Sequence, residues 1–332
     1  MRVLITGGYG CIGSWIVKNL VEQGKDVWVY DLREEPQRLR QVLDPALETH
    51  VHFVPGDVAE LPTLRAALEW LDITHVIHLA GLQVPTCRAD PVLGARVNVL
   101  GTLAVLETVL TLRTRIRRLV YASSAAVFGP PEDYALDQPH GARVESLPLR
   151  PSTHYGVFKR CNEENARIYY QDHGLSSIGL RPWTVYGVGR DFGMTSEPTK
   201  AIKSAVLGRR YHISYGGWQD LQFTDDVAKT FLRCLDVPFE GAGVFNLRGD
   251  VVALPDFVRT LCAVVPEAAS LITHGERQLP IAYDHSDDDL RTLGARPPHT
   301  ALEDGIRQTA NRFRQLHREG RLDISDLPAT GT

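Results

Sequence analysis

A glycine-rich turn, Thr6-Gly7-Gly8-Tyr9-Gly10-Cys11-Ile12-Gly13, lies between an apolar strand predicted over residues 3–6 and an apolar-faced helix predicted over 13–23. Glycine at 8, 10 and 13 lets the chain turn sharply, lets a ligand approach the backbone, and lets helix pack on strand. The helix carries Ile16, Val17, Leu20 and Val21 on one face. Strands then alternate with helices. Strands are predicted over 27–30, 51–54, 75–79, 118–122 and 177–180; helices over 61–71, 90–112 and 152–172, with Ser152 as the N-cap of the last. Repeated units of this length imply a parallel sheet with helices on both faces.

From 187 the alternation weakens. A loop is predicted over 187–195, helices over 197–207 and 225–235, and strands over 211–215 and 244–247. The tail from 255 reads as mostly helical, with one strand near 281–283. Residues 1–186 with about 217–248 are expected to form a nucleotide-binding domain. About 187–216 and 249–322 form a smaller lobe, and 323–332 a loose tail. Residues 130–151 hold Pro130, Pro131, Pro139, Pro148 and Pro151, which predicts a surface loop over the active-site mouth.

A chain of 332 residues, 43% hydrophobic, supports a full core. A net charge of -4 gives no basic face for nucleic acid. No apolar run is read as a membrane span. The five cysteines are scattered, with no Cys-x-x-Cys pair, which points away from zinc and from a disulfide framework. The plain reading is a reduced, cytoplasmic protein without a metal site.

Unpaired N–H groups at the start of the first helix, and its positive dipole end, suit a pyrophosphate. Asp31 ends the second strand, 18 residues past Gly13. A carboxylate there accepts both ribose hydroxyls of NAD and repels the extra phosphate of NADP. Asp57, after the third strand, either reaches the adenine edge or only forms a turn. Tyr155 and Lys159 stand four residues apart in a helix, so they share a face. The ammonium and a positive nicotinamide ring would lower the phenol from its ordinary pKa of about 10 toward the working range of a base. Ser124 ends the fifth strand, where open α/β sheets hold ligands, and its hydroxyl can bond a substrate oxygen. His78 and His154 flank these positions and read as packed or solvated side chains. Trp183, Tyr186 and Trp218 either wall a sugar or fill the core.

Taken in order, the glycine turn, Asp31, Gly56-Asp57-Val58, His78-Leu79-Ala80-Gly81, Asn98, Ser123-Ser124, Tyr155-x-x-x-Lys159, Arg181-Pro182 and Phe223-Thr224-Asp225-Asp226-Val227-Ala228 resemble the extended short-chain dehydrogenases/reductases. More narrowly, they resemble the NAD-dependent epimerase/dehydratase group, over about residues 2–315. The resemblance implies a Rossmann doubly wound parallel sheet with a smaller mixed α/β C-terminal substrate lobe. It implies Tyr155 as base, Lys159 as the residue that orders the nicotinamide ribose, and Ser124 as the holder of the reacting oxygen. It implies Gly7, Gly10, Cys11, Ile12 and Gly13 at the pyrophosphate, and Asp31, Asp57, Val58, Leu79, Ala80, Gly81 and Pro182 along the cofactor. Asn98 would support the helix behind the site. A homodimer through a four-helix bundle, built from the helices at 90–112 and 152–172, is also implied.

The chain departs from the group in three places. Ala125 and Ala126 stand where dehydratases carry a carboxylate pair, which points away from dehydration. Gln219 stands where nucleotide-sugar enzymes often have a diphosphate-gripping arginine, and Thr184 where they often have asparagine. Arg190, Lys200, Lys203, Arg209 and Arg210 remain as cations able to replace the missing charge. Ser124, Ala125, Thr184, Arg190 and Gln219 are the expected substrate contacts. The expected activity is epimerisation of a carbohydrate by transient oxidation of a carbinol. The alternative is net oxidation or reduction of a free sugar, sugar acid or polyol; a non-catalytic dinucleotide sensor is a remote third.

Overall fold

The computed structural model describes residues 1–134 and 147–328. In chain order the elements are β1 Val3–Thr6, α1 Cys11–Val21, β2 Val27–Asp31, α2 Gln37–Val42, β3 Val51–Pro55, α3 Leu61–Trp70, β4 His75–His78 and α4 Val84–Ala89. Next come α5 Pro91–Ala95, α6 Gly101–Thr111, β5 Arg118–Ala122, α7 His154–His173, β6 Ser177–Arg181, β7 Thr184–Tyr186 and α8 Glu197–Val206. The chain closes with β8 Tyr211–Ile213, β9 Trp218–Phe223, α9 Thr224–Asp236, β10 Ala242–Asn246, β11 Asp250–Ala253, α10 Leu254–Val264, β12 Ile272–His274, α11 Asp288–Thr292 and α12 Leu302–Arg318.

Seven strands make one parallel sheet in the order β3-β2-β1-β4-β5-β6-β10. Its central strands are buried on both faces, and the period of two sorts their side chains into two cores. Val3 and Ile5 of β1, Ile77 of β4 and Val120 of β5 enter the larger core, with Ile16 and Leu20 of α1. Leu4, Val76 and Leu119 turn the other way, onto Val105 and Val109 of α6. Outside this sheet lie a three-stranded sheet, β11-β9-β7, with β9 antiparallel to β11 and parallel to β7, and a β12-β8 pair.

The helix expected at 90–112 runs over Pro91–Thr111, with a π turn at Arg96–Leu100 between α5 and α6. Asp90 caps it, accepting the Leu93 N–H at 2.9 Å. By length and composition alone this helix could cross a membrane, which the sequence reading did not expect; half of it is buried inside the fold. The cap of α7 is Thr153 rather than Ser152: Thr153 Oγ1 accepts the Gly156 N–H at 3.1 Å, while Ser152 Oγ points to the Pro280 carbonyl.

Four strands were not anticipated: β7, β9, β11 and β12. In β9 the residues Gln219, Asp220, Leu221, Gln222 and Phe223 are all buried, so no polar–apolar alternation marks it. The polar side chains satisfy one another instead. Gln222 donates to Asp220 and to the Leu247 carbonyl, and Asp220 accepts the Gly249 N–H. Conversely, 281–283 is not a strand. Its central backbone groups are spent outside any ladder: Ala282 N–H donates to the Gly129 carbonyl and the Ala282 carbonyl accepts from Trp183 Nε1 and His285 Nε2.

The centre of the proline-rich loop, residues 135–146, and the last residues, 329–332, lie outside the described residues. The base of that loop is drawn together by Tyr134, whose hydroxyl accepts from Gly129 N–H and donates to the Pro148 carbonyl. Part of the expected loose tail is tied down, because Lys203 Nζ donates to Asp326 at 2.7 Å and to the Asp323 carbonyl at 3.0 Å.

Candidate active site

The chain leaves β1 toward β2 and leaves β4 toward β5, in opposite directions along the sheet. A crevice opens between their carboxyl ends. Its floor is the glycine turn. Gly7 takes φ +69°, and a Cβ there would stand 2.8 Å from the Ala80 backbone. A Cβ on Gly13 would stand 2.6 Å from the Gly7 carbonyl oxygen. Only glycine allows β1, α1 and the end of β4 to meet this closely.

Above the floor, Gly7, Gly10, Cys11, Ile12, Gly13, Leu79, Gly81, Ser124, Ala125, Tyr155, Lys159, Pro182 and Arg190 line one cleft. One turn of α7 brings the Lys159 ammonium to 5.6 Å from the Tyr155 ring centre. Lys159 is buried, and its Nζ donates to the Ala122 carbonyl at 2.7 Å. Burial pushes its pKa down to about 8, against the pull of Cys87 and Glu163. Ser124 follows β5 and caps a short turn, Ala125–Val127, by accepting the Ala126 N–H.

Burial pushes the Tyr155 pKa up; a Ser124 hydrogen bond and the Arg190 charge oppose the rise. Desolvation outweighs the neighbouring cations in the protein alone, so the lowering of this phenol waits on charge brought by a ligand.

Behind the cleft, Ser123 and Arg181 both bond the Glu163 carboxylate. His78 bridges Thr6 Oγ1 at 2.7 Å and Thr102 Oγ1 at 3.0 Å, and burial pushes its pKa down to about 3. It is a packed strand residue. His154 is exposed and stacks on Phe158. Asn98 donates to the Leu82 and Gly94 carbonyls, while its buried Oδ1 has no partner and faces Gly81.

The remaining expected contacts lie elsewhere. Asp31, at the end of β2, accepts backbone N–H bonds from Leu32 and from Tyr9 of the glycine turn, and burial pushes its pKa up. Asp57 pairs with Arg96 at 2.8 Å and accepts the Ala59 N–H, which supports its turn-forming role. Val58 packs where a Cβ on Gly101 would fall. Thr184 and Gln219 are not cleft residues. Both are fully buried, and Thr184 Oγ1 donates to Gln219 Oε1 at 3.2 Å because parallel pairing of β7 with β9 turns both inward. Of the five cations named from sequence, only Arg190 lines the cleft. Trp183 does too; Tyr186 is buried, and Trp218 stacks on Tyr283.

Gln83, Val84, Met194, Thr195 and Ile281 also line the cleft and were missed. Gln83 follows Gly81 just beyond a strand end, and Met194 and Thr195 close a glycine-rich loop; those positions were available signals. Ile281 arrives from a distant segment with no local mark.

Fold and cleft together define a doubly wound α/β protein with a dinucleotide crevice at its switch point. The chain matches the model of the NAD dependent epimerase/dehydratase family over residues 3–247, and it belongs to that family. It is 32% identical to a UDP-glucose 4-epimerase of Azospirillum brasilense, over 95% of this chain and 92% of that protein. It is 27% identical to a UDP-glucose 4-epimerase of Mycolicibacterium smegmatis, over 95% and 99%. The crystal structure of a UDP-glucose 4-epimerase of Thermus thermophilus in complex with NAD superposes with a TM-score of 0.77 at 27% identity, covering 95% of this chain and 99% of that one.

The cofactor is NAD, and the residues present fit it. The glycine turn leaves bare backbone that any Cβ would fill, and the orphaned Asn98 Oδ1 at Gly81 is a buried acceptor held ready beside the cleft.

Proposed function

We propose that this protein is an NAD-dependent sugar epimerase that acts by transient oxidation of a carbinol. The observation that carries the reading is the meeting of Ser124, Tyr155 and Lys159 in the cleft floored by Gly7, Gly10 and Gly13. Bound NAD would accept the carbinol hydride and give it back to the opposite face of the keto carbon. Tyr155 takes the hydroxyl proton as the carbon loses hydride, and Ser124 bonds the oxygen while its charge changes. Lys159, fixed by the Ala122 carbonyl, orders the ribose beside Tyr155. Tyr155 then returns the proton once the sugar has presented its other face. Asp31 holds the adenosine ribose.

A second reading, net oxidation of a free sugar, sugar acid or polyol, uses the same three residues. The neutral, buried Gln219 favours it, since no diphosphate grip exists there. Residues 1–186 with 217–248 form the cofactor domain in this reading, and 187–216 with 249–322 the substrate lobe. The lobe's approach to the cleft is supported by the Trp183–Ala282 and Ala282–Gly129 bonds. A homodimer through α5–α6 and α7 is supported by exposed Leu93, Leu100, Val157 and Ile168 on those helices. The five unpaired cysteines fit a reducing, cytoplasmic setting.

The test is to denature purified protein and assay released dinucleotide. Stoichiometric, tightly held NAD supports epimerisation. An empty protein that makes NADH from a sugar supports net oxidation. A protein that neither holds nor uses NAD overturns both.

A further inference from the structure

We propose that Arg190 anchors a carboxylate of the substrate, so that the cleft is built for a sugar acid rather than for a sugar nucleotide. This rests on reading the cleft as the active site.

Among the described residues, the only charged side chains lining the cleft are Lys159 and Arg190. Lys159, fixed by the Ala122 carbonyl, serves the nicotinamide ribose in the proposed reaction. Arg190 is held by neutral acceptors: Nη1 donates to Gln83 Oε1 at 3.3 Å and Nη2 to Thr195 Oγ1 at 2.8 Å. The adjoining carboxylate, Asp191, is taken by Arg38, whose Nε bonds both its oxygens at 3.0 and 2.8 Å. Among the described residues the Arg190 Nε is buried with no partner. A buried, charged N–H without an acceptor is costly, and it marks where an acceptor belongs.

The loop that carries Arg190 is shaped for the purpose. Gly187, Gly189 and Gly193 take φ of +134°, +89° and +101°. A Cβ on Gly193 would fall 1.9 Å from Gln83 Oε1 and 3.3 Å from Arg190 Nη2. The loop therefore closes directly onto the side chain that orients the guanidinium, and the fork is set before any ligand arrives.

The charge count selects the ligand. One guanidinium with free N–H groups matches one planar carboxylate. A diphosphate brings more charge than one guanidinium balances, and the position expected to share that load is the neutral, buried Gln219. The acid group sits at the Arg190 end of the cleft while the carbinol meets Tyr155, since both side chains line that one cleft.

The test uses the full chain loaded with NAD and carrying Tyr155→Phe to stop turnover. Calorimetric titration compares D-glucuronate, D-galacturonate and D-gluconate with their neutral parents D-glucose, D-galactose and D-glucitol, and with glucose 6-phosphate and UDP-glucose. At least one acid should bind about 10-fold or more tighter than its parent, the scale of one charged hydrogen-bonded contact. In the same background Arg190→Met should erase that preference, Arg190→Lys should keep part of it, and NAD affinity should move less than about 3-fold, well under the loss of one such contact. The proposal is overturned if no acid is preferred, if the preference survives Arg190→Met, or if a phosphate ligand binds tighter than every acid. It is also overturned if Arg190→Met weakens NAD instead, which would assign the residue to the cofactor's phosphates. Failure of the unsubstituted protein to bind NAD at all would sink the underlying reading of the cleft, and is distinguishable from each of these.

Discussion

Arg181 donates Nε and Nη2 to the two oxygens of Glu163, at 2.8 and 2.7 Å, with side chains only 13% and 6% exposed. The pair ties the end of β6 to the middle of α7, four residues beyond Lys159. Ser123, beside Ser124, donates to the same carboxylate. One buried ion pair thus fixes the helix and the strand end that together carry Ser124, Tyr155 and Lys159.

Arg181→Met should therefore cost about 3–5 kcal/mol of stability, because it leaves the Glu163 charge buried and unpaired. The double variant Arg181→Met/Glu163→Gln should recover part of that loss. Urea denaturation of both variants and of Glu163→Gln closes the cycle; a loss in the double variant equal to the sum of the two single losses would contradict the coupling.

Tyr155→Phe should lower kcat by about 100- to 10,000-fold, the usual contribution of a positioned acid–base group. The NAD dissociation constant should hardly move, because the glycine turn that cradles the pyrophosphate is untouched. Fluorescence titration of NAD beside a turnover assay separates the two effects.

Asp31→Ala should weaken NAD by about 10-fold or more, the loss of a carboxylate bonded to hydroxyls. NADP should weaken less, so the gap between the two narrows. Parallel titrations with both dinucleotides check this, and an unchanged ratio would remove Asp31 from the ribose site.

His78 ties stability to acid. Its folded pKa is pushed down to about 3, while an unfolded histidine titrates near 6.5. Between these values the unfolded chain binds a proton that the folded chain refuses, so stability falls as pH drops from about 6.5 toward 3. His78→Asn should flatten that dependence by about one proton in the slope of unfolding free energy against pH. Chemical denaturation at several pH values from 7 to 4 reads it directly.

The parallel sheet was legible because its strands are short apolar runs punctuated by glycine and separated by helices of regular length. The cleft was legible at strand ends and at the Tyr155–Lys159 spacing, and Ser124, Tyr155, Lys159 and Arg190 all reach it. What escaped was the three-stranded sheet. In β9 the inward residues include Gln219, Asp220 and Gln222, whose hydrogen bonds form only after folding, so polarity there reads as surface. Thr184 and Gln219 were expected at the substrate because they stand at positions where relatives carry polar substrate contacts; a position along a strand does not give the face its side chain turns to. The spacing shows the ammonium beside Tyr155 but not the burial that opposes its ionisation.

The mutual bonding of Thr184 and Gln219 bears on any effort to redesign this protein. Installing arginine at 219, to restore a grip on sugar nucleotides, would force a permanent cation into a closed interior, strand Thr184, and leave the new side chain with no path to the cleft. Retraining the pocket would demand that β7 and β9 be rewritten together, as a single block.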